Sequence, residues 1–377
     1  MPFTKVYNGA GTGATAGDYE DSRNWDLISL RTAAFAWTAS GSGTNEYYVR
    51  TAAGANPGFV ATPPATNGVY IAGSAATNGT IGALTAGQWA YGDNDTLGYS
   101  TVYVRLSGGG DPDAQDADHV QFRQIPQATE HVRIPANAGS ITSNLDQSAV
   151  AIGDWIREAG HEGTIGAAPT ATAPPTYLRI DPDRFEHNGR GQAWIDIGTA
   201  AISPQILGTA SAAEGERGLY LRGTAISVLN ATAGDVGLAV LGGEVSTATT
   251  IRVLGDQTTA WVGNGVTLTN GHQWAGTLRI RCGTTALIQY GGDMITEENG
   301  AHTALTQYGG THIYKSTGNY TTHNHHGGTF DEMQSGAART ISTRNIYRGS
   351  GNIFRNKEAV TVTSDVIQES VSISYSG

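Results

Sequence analysis

One stretch of this chain repeats itself, and that repetition restricts what the chain can fold into. Thr285-Ala-Leu-Ile-Gln-Tyr-Gly-Gly292 returns eighteen residues later as Thr303-Ala-Leu-Thr-Gln-Tyr-Gly-Gly310, with nine of eighteen positions identical. Glycine pairs keep the same step at Gly291/Gly292, Gly309/Gly310 and Gly327/Gly328, and single glycines at Gly300, Gly318 and Gly336. A short fixed period of β-type residues between glycine turns predicts a solenoid, in which each repeat is one coil stacked on the last. Equivalent residues then lie about 4.8 Å apart, the strand spacing. Tyr290 should stack on Tyr308, Leu287 on Leu305 and Ile295 on Ile313.

Composition agrees with this reading. Gly accounts for 52 of 377 residues and charged residues for only 15%. Gly disfavours helices, whereas Thr, Val, Tyr and Ile suit a pleated surface. The expected fold is all-β: an N-terminal small β-sandwich or barrel followed by a parallel β-solenoid with coils of about 18 residues. Candidate strands at Glu46–Arg50, Gly68–Ala72, Gln88–Tyr91 and Ser100–Leu106 define the first unit, residues 1–115, which ends in the polar run Gly108–Asp118. Residues 116–217 read as an irregular β lead-in, with Ala168–Pro175 a loop because Pro is excluded from internal strands. Residues 218–377 read as the regular solenoid, closed by the alternating strands Ala359–Thr363 and Val371–Tyr375. Ile313-Tyr-Lys-Ser-Thr-Gly-Asn319 resembles Ile346-Tyr-Arg-Gly-Ser-Gly-Asn352 at an offset of 33, which suggests one shortened coil.

The third repeat departs from the first two. Leu305 is replaced by His323 and Ile313 by Asp331, turning two inferred core columns polar. Either Phe330 and Met333 fill the core after a shift of register, or this coil faces neighbouring chains around a symmetry axis. His323 and His325, two apart, share one strand face. On a trimer axis three such pairs would offer six imidazole nitrogens to a transition metal.

The net charge of −11 argues against nucleic acid as a partner. No apolar run is long enough to span a membrane as a helix. Residues 1–5 show no basic region leading into an apolar stretch, so no secretory signal is expected and synthesis in a host cytoplasm is. Cys282, the one cysteine, excludes an internal disulfide. Gly9–Gly17 lacks the Lys-Ser/Thr of a phosphate-binding loop.

Carboxylate pairs at Asp93/Asp95, Asp111/Asp113, Asp181/Asp183 and Glu297/Glu298 could in principle serve glycoside hydrolysis. Most sit in turn sequences, where Asp bonds its own backbone. No nucleophile elbow or zinc motif occurs, so neither catalysis nor a cofactor is expected. Tyr47, Tyr48, Tyr70, Trp89, Tyr91, Tyr99 and Tyr103 crowd the first unit. Because Tyr and Trp favour interface cores, they mark it as a docking module.

The segment Leu84–Leu106 (Leu-Thr-Ala-Gly-Gln-Trp-Ala-Tyr-Gly-Asp-Asn-Asp-Thr-Leu-Gly-Tyr-Ser-Thr-Val-Tyr-Val-Arg-Leu), followed by Asp111-Pro-Asp113 and Asp146–Ile152, resembles segments of structural proteins of tailed bacteriophages. The resemblance covers about the first 200 residues and brings no catalytic residues with it. It implies a virion component: a head decoration (cement) protein, a head fibre or a tail fibre. Decoration fits best, because the chain lacks heptad or collagen-like shafts. Its implied partners are the major capsid protein and two further copies of the chain, as a homotrimer between capsomers on the capsid surface. The alternative is a tail fibre or spike that binds host polysaccharide along the solenoid; a polysaccharide-degrading enzyme is a more distant third.

Overall fold

A computed structural model of the chain describes residues 4–9, 16–19, 24–25, 28–29, 35–51, 68–98, 101–115, 120–123, 126, 128–199, 201–209, 217–298, 300–332, 338–347, 353–355, 360–368 and 374–375. It divides into two compact units, Phe3–Gln127 and the remainder from Ala128 onward.

The smaller unit contains two sheets. Strands Phe35–Ala39, Tyr47–Thr51, Thr101–Arg105, Gln88–Gly92 and Thr77–Asn78 lie side by side in that order. Strands Ile28–Ser29, Val120–Arg123, Gly68–Ile71 and Ser74–Ala75 form the other sheet. Trp37, Val49, Trp89, Val102 and Val104 of the first sheet and Val69, Ile71 and Val120 of the second share one buried core, so this is the expected sandwich. Asp93 and Asp111 behave as Asp does in turns, Asp111 accepting from the Asp113 N–H, whereas Asp95 and Asp113 bind backbone distant in the sequence. Asp93 accepts from the backbone N–H of Leu97 and Gly98, Asp95 from Gly41, and Asp113 from Trp37.

The second unit is a parallel β-solenoid of about ten turns spanning residues 132–367. Strands His131–Ile134, Asp146–Arg157 and Leu178–His187 stack in parallel as one ribbon. The last of these pairs at its start with Ala193–Asp196 and at its end with Gln205–Ile206. From there each coil carries two strands, and two ribbons run to the C-terminal end. Ribbon A includes Val266–Gln273, Thr284–Gln289, His302–Gln307, Tyr320–His325, Arg339–Ile346 and Val360–Ile367. Ribbon B includes Thr277–Ile280, Asp293–Thr296, Thr311–Tyr314 and Thr329–Asp331.

The solenoid thus begins 86 residues before position 218, and the first boundary lies at 127/128 rather than 115/116. Val120–Arg123 belongs to the sandwich because it pairs antiparallel with Gly68–Ile71. The early coils escape detection by period because they are long: Val132 pairs with Trp155 and Trp155 with Phe185, steps of 23 and 30. Along ribbon A the equivalents Val228, Thr250, Asn270, Ala286, Ala304, Thr322, Thr343 and Ser364 step by 22, 20, 16, 18, 18, 21 and 21. Eighteen is therefore a local value. The 33-residue echo is not structural, since Ile313 pairs with Asp331 in ribbon B whereas Ile346 pairs with His325 in ribbon A. Asp181-Pro182-Asp183 is likewise no turn. Pro182 sits inside Leu178–His187, paired with Ile152 on one side. The next strands take up only residues 178–179 and 186–187, so no ladder bond is lost at Pro182.

Two corner devices hold the coils in register. Gly292, Gly310 and Gly328 have φ of 71°, 77° and 92°. A Cβ on Gly310 would lie 2.3 Å from the Gly292 carbonyl oxygen, so no other residue fits. Inside that corner runs a column of buried glutamines, Gln273, Gln289 and Gln307. The Gln289 amide donates to the carbonyls of Gly292 and, one coil on, Thr311, both at 2.9 Å. Gln307 repeats the arrangement with Gly310 and Thr329. Each glutamine ties its own turn to the next coil, so the repeated Gln-Tyr-Gly-Gly is a structural staple.

Candidate binding face

Immediately after the glutamine column comes an exposed one. Successive backbone N–H···O bonds place Leu207, Thr232, Leu254, Trp274, Tyr290, Tyr308, His326 and Tyr347 one above another at the corner of the stack. Tyr290 and Tyr308 stack as expected, with ring centroids 5.2 Å apart and planes 7° apart. The stack extends in both directions. Trp274 lies 5.1 Å from Tyr290, His326 4.7 Å from Tyr308, and Tyr347 4.2 Å from His326. Leu207, Leu254, Trp274, Tyr290 and Tyr308 are each 40–49% exposed, which makes the ridge the candidate contact surface. The sequence did not place Trp274 and Tyr347 in this column, because they lie 16 and 21 residues from their neighbours in it and not 18.

Three of the residues expected to form a docking surface in the first unit turn inward. Tyr48, Trp89 and Tyr103 are buried in that unit's own core, and Tyr47 and Tyr91 pack against it, half-buried. The Tyr103 hydroxyl accepts from the Asp95 backbone N–H at 3.2 Å, and burial raises its pKa to about 12. Small sandwiches have few large residues to fill their interior, so the aromatic side chains are drawn inward. Tyr99 lies outside the described residues, as do Met333 and Gly336.

His323 also points inward. It pairs in register with Leu305, is fully buried, and lies 4.2 Å from the Phe330 ring. Phe330 enters the core in register with His312, without any shift. The column Ile295, Ile313, Asp331 is the outward side of ribbon B, and Asp331 is covered within the chain, 6% exposed. The third repeat therefore faces its own interior and not a neighbouring chain. A metal on a trimer axis is ruled out for His323 and His325, because both rings are enclosed in the core, 5.4 Å apart. Among the described residues no group of three or more His, Cys, Asp or Glu could hold a metal ion.

The core here is aromatic and imidazole-rich. Tyr320 and Thr296 hydroxyls lie 3.1 and 3.3 Å from His312 Nε2, Thr284 contacts His302 Nδ1 at 2.8 Å, and His325 Nδ1 meets the Gln307 amide oxygen at 3.1 Å. Burial lowers His302 and His325 to about 4. Burial also holds His323 well below the usual histidine value, reinforced by His325, His312 and Arg344. His312 is held down in the same way, with His302 and Arg339 adding to burial. At the next coil the Leu287–Leu305–His323 column ends in Arg344, which grips Asp365 with two bonds of 2.7 and 2.8 Å. The core turns polar step by step toward its last coil. Cys282 is buried with its thiol raised to about 12, which leaves it un-ionised and inert.

No protein-family model, curated protein or solved structure matches this chain.

Proposed function

We propose that the protein is a structural component of a phage particle, a decoration protein seated between capsomers as a homotrimer with the major capsid protein as its partner. What carries the reading is the segment Leu84–Leu106 that resembles phage structural proteins: it is the Gln88–Gly92/Thr101–Arg105 hairpin whose Trp89, Val102, Val104 and Leu106 build the sandwich core. A motif of that kind preserves a fold and not a reaction. The solenoid supports the same reading, since its core closes within one chain and gives a stiff body that can bear load.

The test is titration of the full chain onto undecorated heads. Saturation at a fixed ratio, with a raised capsid melting temperature, is the expected result. Heads that neither bind the protein nor gain stability overturn the reading. The exposed aromatic column favours a second one, a tail fibre or spike, and labelling at the tail of intact particles would put that in its place.

A further inference from the structure

The aromatic column belongs to a wider strip with unusual electrostatics. In five successive coils the outward side chains of ribbon A and its corner are Asn270/His272/Trp274, Ala286/Ile288/Tyr290, Ala304/Thr306/Tyr308, Thr322/Asn324/His326 and Thr343/Asn345/Tyr347. Not one is Asp, Glu, Lys or Arg, in a chain with 33 acidic and 22 basic residues. The two histidines are lowered below their usual range, chiefly by burial, so the strip is uncharged at neutral pH. Gly291 and Gly309 follow the rings and pack closely on the coil before, a Cβ on each meeting the Trp274 or Tyr290 carbonyl oxygen at 2.8–2.9 Å.

These features decide among occupants. Four strand spacings by four residues of strand make the strip roughly 19 by 14 Å, about 270 Å². A stable globular partner, including a second copy, covers about 800 Å² a side. A peptide adding as a strand needs free backbone groups, but those of ribbon A are bonded to the coils above and below. A nucleic acid or an acidic polymer needs a row of cations, and the strip has only Arg252, one coil before His272, at its first edge. What remains is a narrow, uncharged, regularly repeating chain. The rings stack on one another, so their edges and the tyrosine hydroxyls face outward. Thr306, Asn324 and Asn345 stand beside them with donors and acceptors at the same repeat.

We propose that this strip binds a linear, uncharged polysaccharide laid along the solenoid axis, about one sugar unit to each coil. Ring edges meet the sugar C–H groups, and the amides and hydroxyls meet its hydroxyls. The site is independent of head or tail location, so failure on capsids leaves it standing.

The test is affinity electrophoresis of the full chain through gels containing neutral glucans, xylans or mannans, beside the charged polymers alginate, polygalacturonate and heparin. At least one neutral polymer should retard the protein and the charged ones should not. Tyr290→Ala/Tyr308→Ala should weaken that retardation at least tenfold with the melting temperature kept. Thr306→Lys, which adds a charge and removes no ring, should weaken it too and serves if the double variant does not fold. Three results overturn the proposal: no neutral polymer binds, binding survives a folded variant, or sedimentation shows self-association that those substitutions abolish.

Discussion

Lowering the pH from 7 to 5 should unravel the C-terminal coils, and the size of the effect can be worked from four side chains. His302, His312, His323 and His325 lie in two adjacent coils and are fully or almost fully buried. Burial holds the first and last at about 4 and the middle two well below the usual range. In the unfolded chain each titrates near 6.5. Below that pH the unfolded state binds protons that the folded state refuses, so stability is full above about pH 7 and falls as the pH drops from 6.5 toward 4. At pH 5 the cost is about 2 kcal/mol each for His302 and His325, or about 4 kcal/mol together, and His312 and His323 add to it in the same direction. Glu332 works in the opposite sense. Burial raises it to about 7, so the folded state keeps its proton as the pH falls and gains about 2 kcal/mol between pH 7 and 5. The net loss is about 2 kcal/mol from His302, His325 and Glu332 and larger with His312 and His323, a large share of the stability of many domains.

Thermal melting followed by circular dichroism at the two pH values measures this, and hydrogen exchange over residues 302–346 locates it. His323→Leu restores the residue of the two preceding coils and should reduce the histidine penalty measurably. Equal stability at pH 7 and 5, or an undiminished pH dependence in the variant, would refute the reasoning.

Gln289→Leu leaves the carbonyls of Gly292 and Thr311 without their amide donor and should cost about 2–4 kcal/mol in denaturant unfolding. Gly310→Ala must accept both φ of 77° and a 2.3 Å approach to Gly292 O, and should cost more than about 2 kcal/mol. Gly242→Ala, where a Cβ meets nothing within 4 Å, is the matched control and should change the melting temperature little. Asp365→Asn strips the buried Arg344 guanidinium of its anion and should lower stability by about 3 kcal/mol, with hydrogen exchange rising first in the last coil.

The solenoid was legible because Leu287/Leu305 and Tyr290/Tyr308 sit on coils of equal length, where a fixed period exposes the stack. It was illegible between residues 128 and 217 because those coils are longer and unequal. The third repeat misled for a different reason. His323 and Asp331 were read as one outward signal, yet they lie on opposite sides of the wall. A buried histidine is satisfied by hydroxyls and aromatic neighbours brought from other coils, as His302 and His312 are, and no local pattern announces them. Counting aromatics in the first unit did not reveal their direction. In the sandwich Trp89 and Tyr103 face inward, whereas at the solenoid corner Tyr290 and Tyr308 cannot, because Gln289 and Gln307 already occupy the interior.

The central claim is that the contact surface of this protein is the column at the solenoid corner and not the tyrosines of the first unit. Hydroxyl-radical footprinting of the full chain, read residue by residue by mass spectrometry, tests it directly. Trp274, Tyr290 and Tyr308 should be labelled strongly, Tyr48, Trp89, Tyr103 and His323 should be protected, and a bound neutral polysaccharide should suppress labelling of the first three alone. Labelling of Tyr103 or His323 as strong as that of Tyr308 would contradict the account.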